Sequence, residues 1–190
     1  MKPRDPAKEQ ALLDAALRVA DRGGLETLTI QKVAREAGLA VGTVYVYFEG
    51  KEDLLRRLYL RSKAAAGTRL FRGFSADLPF RHAFRLICRN QFLFFVENRV
   101  EARFLGLFYR SGFSDARTAA VSQSVTDPLV ALVRRAQTEE LVVAGDPALL
   151  IRFVLAVLKE AAVEAGTLGP EHQAALADQA VAFCLSGISP

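Results

Sequence analysis

A single glycine, Gly38, stands between two short apolar stripes, and this arrangement restricts the chain more than any other feature. Before it, Ile30, Val33, Ala34 and Ala37 recur at helical spacing, giving one apolar face on about two turns. Thr29 precedes them, with a hydroxyl able to accept an N–H left unpaired at a helix start. Glycine readily takes the left-handed backbone that stops a helix and turns the chain sharply. After Leu39 and Ala40 a second short helix fits Val41 to Tyr47. Val44 and Phe48 point inward on this reading, and Gly42, Thr43, Tyr45 and Tyr47 face elsewhere. Helix, glycine-centred turn, helix is a helix-turn-helix pattern, whose second helix is the one suited to a DNA major groove. A longer helix opens after Gly50 with Lys51, and the acidic pair Glu52 and Asp53 suits the positive end of its dipole. Its pattern runs past Ala66 without a proline or a glycine-rich linker, so one rigid element should join this region to the remainder.

The remainder is also helical in pattern, with no strand alternation, internal repeat or low-complexity tract. Asp5 and Pro6 mark a first helix whose inward stripe is Leu12, Ala16, Val19 and Ala20, ended by Gly23-Gly24. Further helices fit Leu78 to Asn98, capped by Asp77, and Glu101 to Tyr109. A segment from Asp115 to about Glu139 should break at Asp127-Pro128, because proline removes an intrahelical bond. Asp146-Pro147 starts a helix over Ala148 to Ala165, and Gly169-Pro170 opens a last one through Leu185. The expected fold is therefore all-α with about nine helices. Residues 1–66 form the helix-turn-helix domain and 67–190 a larger ligand-binding and dimerisation domain.

At 190 residues, 51% apolar and only 24% charged, the chain can bury a real core, which argues against disorder. The net charge of +4 divides into +3 over residues 1–66 and +1 over the rest, so any nucleic-acid contact should be local. Met1 to Pro6 carry charge and two prolines but no apolar core of a secretory signal, and Ala148 to Leu158 is too short to span a bilayer. A soluble, cytoplasmic protein is expected. Cys88 and Cys184 have neither the spacing of a zinc site nor that of a redox pair, and should be buried, reduced thiols.

The run G-T-V-Y-V-Y-F-E-G-K-E-D-L-L, preceded by V-A-R-E-A-G-L-A, closely resembles the DNA-binding signature of the TetR family of one-component bacterial transcription regulators. The resemblance covers about Asp5 to Leu60. It implies a regulator, expected to be a repressor, that leaves a palindromic operator when a small effector binds. It also implies DNA contacts at Thr29, Gln31, Ala40, Val41, Gly42, Thr43, Tyr45, Tyr47 and Lys51. Chemically, Gln31 can bond adenine bidentately, Val41 can meet only a thymine methyl, and Gly42 permits close approach. Thr43, Tyr45 and Tyr47 offer hydroxyls to phosphates, and Lys51 a phosphate-binding ammonium at a helix N-terminus. Ala40 departs from the Ser or Thr common at that cap, a loss of about 1 kcal/mol. With Gln31 the main base-specific donor, affinity should rest heavily on phosphate contacts and depend strongly on salt.

The resemblance further implies dimerisation through the last two helices, which would set paired recognition helices about 34 Å apart. Their apolar residues Leu150, Val154, Val157, Leu158, Ala161, Ala177, Val181 and Leu185 are the interface expected. Burial within the protomer's own core is the competing reading of the same residues. Most of the 13 phenylalanines fall between Phe71 and Phe113, where they can line a pocket or fill a core. Phe84, Cys88, Arg89, Phe92, Arg103, Leu107, Tyr109 and Arg110 are the ligand-binding candidates, for a lipophilic effector such as a fatty acid or acyl thioester. Arg81, Arg85 and Arg89 share one helix face and read first as a solvated stripe. No cofactor or metal is expected, since His82 and His172 lie in no metal-binding spacing and neither a serine-hydrolase elbow nor a phosphate-binding loop is present. The alternative to a regulator is a small helical ligand-binding protein or enzyme without DNA binding.

Overall fold

Asp5 opens the first helix as its cap, accepting the Ala7 N–H at 2.9 Å, and Pro6 takes the first position, where its missing N–H costs nothing. The computed structural model describes residues 5–190, so the part of the signal-peptide reading that falls on Met1 to Arg4 lies outside the described residues. The helices are α1 (Pro6–Gly23), α2 (Ile30–Glu36), α3 (Val41–Tyr47), α4 (Lys51–Leu70), α5 (Phe80–Glu97), α6 (Arg99–Tyr109), α7 (Ala116–Thr138), α8 (Pro147–Ala165) and α9 (Pro170–Ile188). No strand occurs among the described residues, as the all-α expectation requires.

Two compact units form. The first gathers the chain up to Ala65 together with Val100–Val121, and the second Ala66–Arg99 with Ser122–Pro190. Helices α4 and α7 therefore each contribute residues to both. In the first unit the expected α1 stripe of Leu12, Ala16, Val19 and Ala20 is buried. It packs in one core with Val33, Val44, Phe48, Leu54, Leu55 and Leu58. Phe104 and Phe108 of α6 complete that core, Phe108 stacking on Tyr59 with ring centroids 4.3 Å apart. The second core joins Phe80, Phe84, Ile87 and Phe92 of α5 to Leu132, Val133 and Ala136 of α7, and closes with apolar residues of α8 and α9.

Two sequence expectations are corrected. Pro128 does not break its segment: α7 is a single helix with the proline inside it. Val125 and Leu129 on either side of Pro128 pack against the same core as Leu132 and Val133, so tertiary contacts hold the helix across one missing bond. Asp77 does not cap α5, which starts at Phe80 behind Pro79 with no side-chain cap. Leu78 precedes a proline and is steered away from helical backbone, while the Arg135 guanidinium donates to the carbonyls of Ala76 and Leu78 and holds this turn outside the helix. Helix α8 keeps apolar side chains open within the protomer: Leu149, Phe153 and Val163 are 59%, 45% and 51% exposed.

Candidate nucleic-acid interface and interior cavity

The turn between α2 and α3 is built as the sequence specifies. Thr29 caps α2 by accepting the Lys32 N–H, and Gly38 takes a left-handed φ of 67°. The amides of Gly38 and Leu39 donate back to the carbonyls of Arg35 and Ala34 at 3.1 and 2.9 Å, which satisfies the end of α2. Ala40 begins α3 with no side-chain cap bond, as its methyl group dictates. Val44 anchors α3 at 0% exposure and Phe48 follows at 1%, so the opposite face of α3 is free. Gln31, Val41, Gly42 and Tyr45 are exposed and Thr43 is half-buried.

Tyr47 differs from its expected outward position. Its ring is buried, and its hydroxyl accepts the Asp5 backbone N–H at 3.0 Å, joining the end of α3 to the start of α1. Residues 42 positions apart are involved, which is why helical spacing alone did not reveal the contact.

Charged side chains lie on the neighbouring helices α2 and α4. The Lys51 ammonium donates to the Glu26 carbonyl at 3.3 Å and lies 5.7 Å from the centroid of the Phe113 ring, a cation–π geometry. Arg56, one turn on, donates to the Phe113 carbonyl at 3.1 Å and pairs with Glu52 and Asp115. Sequence reasoning missed Phe113 in this role, because nothing local links it to Lys51. It also missed Lys32, whose exposed ammonium donates to the Thr27 carbonyl at 2.7 Å. Behind α2, Glu36 receives both Arg22 and Arg18, and these bonds hold its carboxyl below the ordinary glutamate value. Asp115 is likewise held low, first by the Thr118 backbone N–H and then by its hydroxyl, at the start of α7.

The second unit contains a cavity of about 60 Å³. Phe84 and Cys88 line it, with Leu129, Leu132, Leu150, Val154, Leu158 and Ile188, and Gln91 is the one amide among the lining residues. Burial pushes the Cys88 thiol well above its ordinary value, with the nearby Cys184 adding to the effect, and burial raises Cys184 to about 11. Both cysteines are buried and free, as reduced structural thiols should be. Phe92 is buried in the same core but is not among the lining residues. Arg89 is exposed beside Asp178 at 3.6 Å, and Arg81 and Arg85 are exposed on the same face. The other ligand candidates belong to the first unit: Leu107 packs against its core, Arg103 pairs with Asp21, Arg110 is exposed and Tyr109 is 74% exposed. No cluster of His, Cys, Asp or Glu able to hold a metal occurs among the described residues, and no described helix is long and apolar enough to cross a membrane.

Residues 12–58, which include the whole helix-turn-helix, match the family model for bacterial regulatory proteins of the tetR family. The helix-turn-helix segment is of the tetR type. An HTH-type transcriptional regulator of Haemophilus influenzae is 33% identical over 89 residues, which are 47% of this chain and 48% of that protein, so the chain spans about half the length of this relative. The fold extends much further. A TetR-family regulator from Marinobacter aquaeolei superposes with a TM-score of 0.84 at 22% identity, covering 99% of this chain and 98% of the other. The transcriptional regulator FadR of Bacillus subtilis, solved in complex with stearoyl-CoA, superposes with a TM-score of 0.71 at 20% identity, covering 94% and 98%.

The residues expected at a two-fold interface fall into two sets. Val154, Leu158, Ala177, Val181 and Leu185 are buried in the protomer's own core, and Leu150, Val157 and Ala161 are half-buried beside it. Large apolar side chains left open on α8 and α9 include Leu149, Phe153, Val163 and Phe183, of which Phe153 and Phe183 flank a shallow apolar groove with Ala156, Val157, Ala161, Leu176 and Ala180.

Proposed function

We propose that the chain is a cytoplasmic, homodimeric, ligand-responsive DNA-binding regulator, acting as a repressor and not as an enzyme. The observation that carries this reading is α3, fixed behind by Val44 and Phe48 and free in front, with Lys51 opening the next helix. On this reading residues 1–66 bind a palindromic operator, and residues 67–190 sense the effector and dimerise. Gln31 supplies adenine recognition, while Thr29, Ala40, Thr43, Tyr45 and Lys51 contact or position the DNA backbone, and Tyr47 holds the end of α3 against the start of α1. The groove between Phe153 and Phe183 supports a second copy as the partner, because exposed phenylalanines on two neighbouring helices make a self-complementary apolar face.

The apolar cavity supports a lipophilic effector, and the stearoyl-CoA complex of the structurally similar FadR points to an acyl thioester. At about 60 Å³ the cavity is far below the ~300–1,000 Å³ of ordinary ligand pockets, so an acyl chain must part α5, α7 and α8 to enter. Ligand binding then selects an opened second unit, and α4, with residues in both units, carries the change toward Lys51.

A mobility-shift titration on the protein's own upstream DNA, at several salt concentrations, tests this. Lys51→Ala should weaken binding to all sequences alike and reduce the salt slope by about 1, whereas Gln31→Ala should relax preference at one base pair. Equal, salt-insensitive binding by wild type and both variants would overturn the proposal.

A further inference from the structure

The outward face of α3 has an unusual chemistry for a helix expected to read bases. Its seven residues include no Arg, Lys, Asn, Gln, Asp or Glu, and its polar side-chain groups are the hydroxyls of Thr43, Tyr45 and Tyr47. Tyr47 is buried with its hydroxyl bonded to the Asp5 amide, which removes it from the open face. What remains is the exposed Tyr45 and half-buried Thr43, each with one hydroxyl, and the apolar Val41 and Val46, 38% and 51% exposed. Val46 lies two positions from the fully buried Val44 on a helix turning about 100° per residue, so it points almost directly away from the core.

Gly42 shares that outermost ridge, one turn before Val46. Its backbone is helical rather than left-handed, and a Cβ built on it would meet nothing within 4 Å. The fold therefore does not require glycine here. The missing side chain leaves the ridge open one turn before Val46.

The C5 methyl of thymine is the apolar group that base edges present in the major groove, while guanine and cytosine offer only hydrogen-bonding atoms there. We infer that α3 selects its operator by thymine methyl contacts, with Val46 and Val41 as the contacting side chains and Gly42 as the gap that admits a methyl group. Val46 is thus a specificity-determining residue, and half-sites should carry thymine opposite α3. This inference rests on the DNA-binding reading above.

The test replaces thymine with deoxyuridine in an operator recovered by the full-length protein from random duplexes. Phosphate charge and base pairing are unchanged, and only methyl groups are lost. Each lost contact should weaken wild-type binding by about fourfold, with the salt slope unaltered. Val41→Ala and Val46→Ala should bind the thymine operator more weakly and lose most of their sensitivity to deoxyuridine. Sequence-preferring binding by wild type that ignores the substitution overturns the inference and leaves the DNA-binding reading standing. Equal sensitivity in wild type and both valine variants also overturns it, because the methyl groups would then act through DNA shape. Failure to recover any preferred sequence would instead defeat the DNA-binding reading itself.

Discussion

The two units are held together by different means. In the first, short helices are tied by charged side chains: Glu36 clasps Arg18 and Arg22, Arg61 reaches Asp14 at 2.7 Å, Arg57 bridges Glu9 and Asp53, and Arg103 meets Asp21. In the second, ion pairs are sparser, and α5, α7, α8 and α9 meet through aliphatic and phenyl groups around a void. On the proposed function, directional bonds suit a head whose side chains reach DNA in one register. Non-directional packing tolerates side-chain displacement, which on the same reading suits a body that admits a guest. The contrast assigns stiffness to the first unit and compliance to the second.

Paired truncations would break this contrast most directly. Leu58→Ala and Leu158→Ala remove equal volume from the first and second cores, at residues 0% and 1% exposed. Each should cost about 2–5 kcal/mol in urea denaturation, with Leu158 toward the lower end because its neighbours already border a cavity. A larger loss at Leu158 would show that the second core is the more tightly packed. Gly38→Ala probes the turn between α2 and α3, where φ is 67°. A side chain in that conformation should cost about 1–2 kcal/mol and lower operator affinity beyond the loss of folded protein.

The smallest expected effect is pH-dependent. Glu36 has its carboxyl held low by Arg22 and Arg18, so its stabilising contribution is present above the unfolded-state value and is lost as pH falls through the depressed folded one. Glu36→Gln should therefore melt below wild type at neutral pH, and the gap should close as pH drops below 4.5. A gap that persists in acid would mean that the α1–α2 clasp acts through shape rather than charge.

How much of this could be read beforehand follows from the range of each interaction. The limits of α3 at Val41 and Tyr47 were legible because Gly38, the apolar pair Val44 and Phe48, and Gly50 are all local signals. The cap roles of Asp5, Thr29 and Asp146 were equally local. The continuity of α7 through Pro128 was not legible, because it depends on packing that Val125 and Leu129 find in other helices. Tyr47, Phe113 and the two sets of α8 and α9 residues share that difficulty: periodicity gives a helix a face but does not say what the face meets. The ligand candidates show it most clearly. Phe84 and Cys88 line one cavity, whereas Arg103 and Tyr109 belong to another unit although only a short stretch of sequence separates them.

The void lined by Phe84, Cys88 and Leu158 also carries a mechanical consequence. Empty volume inside a protein disappears when the surrounding chain unfolds, so hydrostatic pressure favours opening wherever such volume is stored. Compression should therefore loosen the second unit before the first, and a guest that filled the void would remove that weakness.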